Sequence, residues 1–516
     1  MSIKYRPEID GLRFIAVFAV IIYHADIYFN NKFLLPGGFL GVDIFFVISG
    51  YLIGKLIHFQ INTGSFSINS FLIRRIRRIF PALFFMCFLS AVFGYFFLFS
   101  ASFTDLLNSI MSSIFFISNY HYYFSGHVYG ADTLLVKPLI HTWSLSIEIQ
   151  FYLIISILIF ILSKKKFQKN SNFIYIFLIF LSFFISNSLV HFNNNLNFYF
   201  ILTRLWELLT GYYLVNIEKK NNKFITKYSI QLTFISLSLI IFSFIFFSNE
   251  KFHPTFKTLP IVIGTSLFIL FIKNSPFLLK IFSNKILVFL GLMSYSLYIW
   301  HYPIFVFSKY LNITQGEILN KFMIIIVLFV SSYLSFNYIE KPFRTRNNYF
   351  FKNFKYFFSF SIIFSSLFFL YFFYSNNYFL NFKNIKLSEK LNDKFYFDNK
   401  FYLDEFNDEL KKYENLEYSN NNKKKVLIVG NSYGADMFLI FKRNEKLFYK
   451  YDFSYLNTQF YCLEVIITNN SKCKMDNNLL YKKLKETDVI VISTRWNKND
   501  FDNFHAIIQA LKAYNN

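Results

Sequence analysis

The chain has 516 residues, 54% of them hydrophobic, and a formal charge of +23 at pH 7. Apolar runs near the twenty residues of a bilayer span recur from end to end, which excludes a soluble globular protein for most of the length. The basic residues cluster in short loops between these runs, the pattern of cytoplasmic loops, and no nucleic-acid motif accompanies them, so nucleic acid is not an expected partner. The 76 Phe, with much Ile, Asn, Lys and Tyr, read as a compositional bias of the genome.

Hydropathy predicts eleven spans, at 12–30, 39–58, 80–100, 140–162, 172–190, 198–216, 229–248, 258–273, 287–309, 320–339 and 356–375. Between the third and fourth, 101–139 reads as an excursion with a short amphipathic or re-entrant helix. No cleavable signal peptide is evident, because the first run itself carries Arg13 and His24. Lys4 and Arg6 precede span one, and Arg74, Arg75, Arg77 and Arg78 precede span three. Further clusters follow spans four, six and ten. With the N-terminus inside, all of them fall on the cytoplasmic side, and residues 376–516 lie outside.

The tail differs in kind. A connector rich in Lys, Asp, Asn and Glu (381–424) leads into KKKVLIVGNSYGAD, a buried-strand run, a turn and a helix. A second strand starts at Asp488 after a Lys-rich helical stretch. This alternation predicts an α/β fold with a parallel sheet. Of the three Cys, Cys87 lies in an apolar run and reads as a packing residue. Cys462 and Cys473 lie in the tail, where an oxidising compartment would favour a disulfide; two unrelated thiols are the alternative.

Ionisable residues at membrane depth are the sharpest signal, since each is expensive to insert. Arg13 and His24 are eleven residues apart, about three turns, so they share a face with roughly 16 Å between them along the axis. His24 is expected about 9 Å inside the outer end of span one, and Asp43 about 6 Å inside that of span two. An Asp-oriented His base is therefore within geometric reach, with Asp26 as a competing partner. A buried polar tie between helices is the alternative.

Arginines 74, 75, 77 and 78 form two i,i+3 pairs whose forks suit phosphate oxygens, or else anchor the topology. His141 and Glu148 share one face of span four, His301 lies mid-membrane in span nine, and Glu340 ends span ten. Each alone reads as an anchor or helix tie; together they suggest a polar groove.

These segments, in this order, resemble the acyltransferase-3 family of integral-membrane acyltransferases: YRPEIDGLRFIAV…YH (5–24), GGFLGVDIFFVISGYLI (37–53), FLIRRIRRIFPAL (71–83), HTWSLSIEIQFYL (141–153), SYSLYIWHYPI (294–304) and YIEKPFR (338–344). The resemblance implies transfer of an acyl group, usually acetyl, from cytoplasmic acyl-CoA to an extracytoplasmic carbohydrate hydroxyl. It carries over Arg13 with His24, and Arg74 with Arg77, as functional residues. It calls for no resident cofactor or metal, with acetyl-CoA as donor substrate. The tail resembles the SGNH hydrolase-like domain fused to many members. Ser432 stands at the nucleophile position and Ser493 to Trp496 match a later block. Asn431 replaces the usual Asp, and no Gly follows Gly434, so the domain is expected to be partial.

The expected architecture is thus a polytopic α-helical membrane domain of ten core helices (1–346), a linking helix and polar connector (347–424), and a partial SGNH-like α/β domain (425–516). It is expected in the inner (cytoplasmic) membrane of a bacterium, with the N-terminus cytoplasmic and the C-terminal domain periplasmic. The acceptor expected first is a surface polysaccharide such as lipopolysaccharide O-antigen. Peptidoglycan acetylation and glycan or lipid transport are the alternatives.

Overall fold

The computed structural model describes residues 4–29, 32–98, 100–126, 136–162, 170–219, 228–247, 253–311, 313, 318–345, 352–374, 410, 413, 418, 423–430, 432–457, 477–493 and 504–514. Cys462 and Cys473 lie outside them. Two compact units are present, Met1–Ile385 and Lys386–Asn516.

The first unit is helical. Helix α1 (Pro7–His24) opens on Pro7, where a missing N–H costs nothing, with Glu8 and Asp10 in its first turn where the helix dipole favours acids. It ends at His24 and not at residue 30. The chain turns through Asp26, with φ of 50°, into the hairpin β1 (Tyr28–Phe29) and β2 (Lys32–Phe33). His24 is therefore the last residue of its helix. Helix α2 (Gly41–Asn62) runs back beside α1. Helix α3 (Ile68–Phe97) starts twelve residues before the expected span, because its arginines continue the helix instead of forming a loop. Pro81 sits inside it, a break that membrane helices tolerate.

Helices α4 (Ser100–Ile114) and α5 (Ser118–Ser125) occupy the expected excursion. Then come α6 (Trp143–Leu162), α7 (Ser171–Phe192), α8 (Asn194–Tyr199), α9 (Ile201–Lys219), α10 (Ser229–Phe246) and α11 (Leu259–Phe271). Short α12 (Pro276–Phe282) and α13 (Lys285–Leu292) precede α14 (Ser294–Tyr310), so the expected ninth span is broken at Met293. Helix α15 (Ile318–Leu334) continues through a π-helical turn, Ser335–Glu340, to Arg344, and α16 (Phe354–Tyr374) closes the unit.

Among the described residues, seven helices are long and apolar enough to cross a membrane. On α7, Phe173, Phe177, Phe180 and Phe184 form one exposed stripe, as a lipid-facing surface requires. The chain is a multi-pass membrane protein. Helices α1, α9 and α14 fall outside the seven, α1 and α9 because they carry charge and α14 because it has 17 residues. These three supply much of the polar centre. Helices α2 and α9 cross closely: a Cβ on Gly50 would stand 1.9 Å from the Leu208 carbonyl oxygen, and one on Gly211 2.0 Å from that of Val47. Small residues let the two backbones touch and bring Asp43 beside Arg204 and Glu207.

The second unit holds a small parallel sheet, with β3 (Lys424–Gly430) between β4 (Tyr451–Asn457) and β5 (Val489–Ile492). Val426 to Gly430 are buried, as expected for a strand covered on both faces. Helices α17 (Ser432–Arg443), α18 (Asn477–Glu486) and α19 (Phe504–Tyr514) accompany it.

Candidate functional site

A cavity lies among α1, α2, α3, α6 and α14. Its polar wall is Arg13, Arg75, Arg78, Ser49, Glu148 and Tyr152. Arg13 Nη1 is 3.1 Å from Asp10 Oδ1. Glu148 accepts hydrogen bonds from Ser49 Oγ at 2.6 Å and from the Tyr152 hydroxyl. Three guanidinium groups against one carboxylate make this a site for an anion, and planar forks match phosphate oxygens.

Of the two i,i+3 arginine pairs, Arg75 and Arg78 line the cavity. Arg74 and Arg77, the pair that the family resemblance carries over, do not. One residue along a helix is 100° of rotation, and that step turns Arg77 onto the Phe354 ring of α16, 5.3 Å from its centroid.

A second chamber shares Val42 and Tyr298 with the first. His24 and His141 both line it. His24 Nδ1 lies 3.2 Å from His301 Nε2, and His301 Nδ1 faces the Tyr298 carbonyl oxygen. A carbonyl only accepts, so His301 carries its proton on Nδ1. With both rings neutral, His301 Nε2 accepts, and His24 donates from Nδ1. His24 Nε2 then holds a lone pair, the state a general base needs.

Asp43 is not the partner of His24. Its Oδ1 lies 3.3 Å from Arg204 Nη1 and 3.2 Å from His253 Nε2. Glu207 Oε1 is 3.5 Å from the same Arg204 nitrogen, and the Asp43, Arg204 and Glu207 side chains are fully buried. The Arg204 guanidinium also stacks over Trp143 and Phe198, 5.1 and 4.8 Å from their centroids. Asp43 lines the chamber but is committed to this charge cluster through Arg204 of α9 and His253.

The remaining sequence candidates separate. His141 and Glu148 do not share a helix face: His141 lies in the 3-10 turn Ile140–Thr142 ahead of α6 and faces the chamber, whereas Glu148 is on α6 and faces the cationic cavity. Glu340 lies outside both walls and ties helices together, accepting from Ser296 Oγ at 3.1 Å and Arg344 Nη1 at 2.8 Å. Ser432 opens α17 directly after β3, in the other unit. Sequence reasoning passed over Arg204 and Glu207, charged residues inside span 198–216 that meet the criterion applied to His24. It also missed His253, which sits in a polar stretch with no local signal.

Residues 6–338 match the acyltransferase domain family, acyltransferase-3. Peptidoglycan O-acetyltransferase OatA of Listeria monocytogenes is 33% identical over 371 residues, covering 69% of this chain and 58% of that protein. O-acetyltransferase OatA of Staphylococcus aureus is 34% identical over 360 residues, covering 67% of this chain and 58% of that protein. The chain thus spans less than two thirds of these curated relatives' length. No solved structure matches it. With a family match over most of the helical unit, and the cationic cavity and His24 inside the matched region, the chain belongs to the acyltransferase-3 family of membrane proteins.

Proposed function

We propose that the protein is an O-acetyltransferase that moves an acetyl group from acyl-CoA to a hydroxyl of a cell-envelope glycan. The observation that carries this reading is the adjacency of two cavities that share Val42 and Tyr298 as wall residues, one cationic and the other lined by His24. Arg13, Arg75 and Arg78 would hold the donor's phosphates, and the thioester would reach the shared wall. His24 Nε2 takes the proton of the acceptor hydroxyl as its oxygen attacks the thioester carbonyl. The tetrahedral intermediate collapses, the C–S bond breaks, and the thiolate leaves with the proton returned from His24. Holding donor and acceptor in adjoining cavities supplies orientation, which is a large part of the rate.

The relatives' names favour peptidoglycan over lipopolysaccharide O-antigen as acceptor. The loop charges support a cytoplasmic N-terminus and donor side, in the cytoplasmic membrane of a bacterium. The β3–turn–α17 arrangement supports an SGNH-like region with Ser432 as a candidate nucleophile for a later, extracytoplasmic step. Purified protein given labelled acetyl-CoA and peptidoglycan fragments tests the reading. Acetylated glycan is the expected product; a glycan or lipid transporter using the same groove would yield none.

A further inference from the structure

The chamber beside His24 contains buried polar atoms whose hydrogen bonds are unmade. Among the described residues, Arg204 Nη2, Asp43 Oδ2, both ring nitrogens of His141 and Asn194 Oδ1 have no partner. Arg204, Asp43 and His141 are almost wholly buried, and all four residues line the chamber. A buried polar group left unpaired is costly, so four residues unsatisfied around one space imply an occupant that completes them.

The chemistry of the set restricts that occupant. Arg204 only donates, Asn194 Oδ1 and Asp43 Oδ2 only accept, and a neutral His141 does one of each. A hydroxyl does both, so a ring bearing several hydroxyls matches the mixture. An acyl chain would satisfy none of these atoms. A phosphate or carboxylate would satisfy only the donors and would sit against Asp43. Charge points the same way. Here Arg204, which donates from Nη1 to the neutral His253 Nε2 at 2.7 Å, is met by Asp43 and Glu207, whereas the neighbouring cavity keeps an excess of guanidinium. The walls carry Trp143, Tyr199 and Tyr302, the flat apolar surfaces that C–H faces of a sugar pack upon.

We infer that this chamber is the acceptor subsite, and that it takes an uncharged sugar ring held by Arg204, His141 and Asn194 with one hydroxyl presented to His24. This rests on the transferase reading. Asp43, Glu207 and His253 act through Arg204 as positioning residues.

The test uses the full chain in lipid nanodiscs, with a neutral N-acetylglucosamine tetrasaccharide as probe. Affinity for the tetrasaccharide and the KM values for tetrasaccharide and acetyl-CoA are measured separately. The double substitution Asn194→Ala, His141→Phe should weaken tetrasaccharide affinity and raise its KM about tenfold, the effect of roughly 1.4 kcal/mol of lost hydrogen bonding, with the acetyl-CoA KM little changed. Asn195→Trp, at an exposed position on the chamber rim, should act likewise by filling space, and serves if the double variant does not fold. Arg75→Gln should show the reverse split. If the wild type acetylates the probe but these chamber variants leave its affinity and KM unchanged, the chamber holds only water and the inference is overturned, while the transferase reading stands. If the wild type binds the probe, loses that binding in the variants and yet transfers no acetyl group, the subsite stands and the transferase reading fails.

Discussion

A histidine oriented by a second neutral histidine behaves differently from one oriented by a carboxylate. A carboxylate stabilises the imidazolium that forms during proton transfer, whereas His301 only fixes which nitrogen of His24 carries the proton. The proton taken from the acceptor is then readily passed on to the leaving thiolate. His301→Leu should therefore lower acetyl transfer about 10²-fold, the lower end of what general-base catalysis contributes, with the acetyl-CoA KM unchanged; His301→Asn, which keeps an acceptor oxygen, should recover part of the loss. Steady-state kinetics on the three proteins decide this, and equal KM and kcat losses in both variants would count against it. At the donor end, Arg75→Gln or Arg78→Gln should each raise the acetyl-CoA KM about tenfold, since a charge-assisted hydrogen bond is worth about 1.5–3 kcal/mol. Arg74→Gln and Arg77→Gln should do less, because neither side chain lines the cavity.

The helices meet in ways that a single chain of letters does not display. The crossing of α2 on α9 depends on Gly50 and Gly211, and Gly211→Val should destabilise the helical unit by more than the ~1–3 kcal/mol of ordinary overpacking, because its branches meet backbone. A melting curve in detergent would show the loss. Asp43→Ala should also destabilise, by about 3–5 kcal/mol, since it leaves Arg204 buried with less countercharge. That result would separate Asp43, a structural and positioning group, from His24, whose replacement should leave melting little changed.

Each expected apolar run corresponds to helix, because twenty apolar residues have few other fates in a bilayer. The α3 start was not legible, since a run of arginines reads equally as loop or as helix. Strand β4 was missed because YDFSYLN mixes aromatic and polar residues without a buried run. The partner of His24 lies 277 residues away on α14, a contact that no local spacing encodes. The choice between Arg74/Arg77 and Arg75/Arg78 turns on 100° of helix rotation, fixed only once α16 packs against α3.

Across the whole molecule, the polar centre lies entirely in Met1–Ile385. A chain ending at Ile385 should still bind acetyl-CoA with affinity within about twofold of the full chain, because removing the second unit takes no side chain from the cationic cavity, and each tenfold would need ~1.4 kcal/mol. Ending before α16 should be worse tolerated, since Phe357 and Phe358 pack on Phe80 of α3 beside the arginines. The account stands or falls on His24 as the base in the chamber beside the cationic cavity. The direct measurement is acetyl transfer from labelled acetyl-CoA to glycan by the purified wild-type chain and by His24→Gln, with acetyl-CoA binding measured on both. The expected result is a loss of at least about 10²-fold in transfer with donor binding retained. Transfer by His24→Gln at the wild-type rate would contradict it.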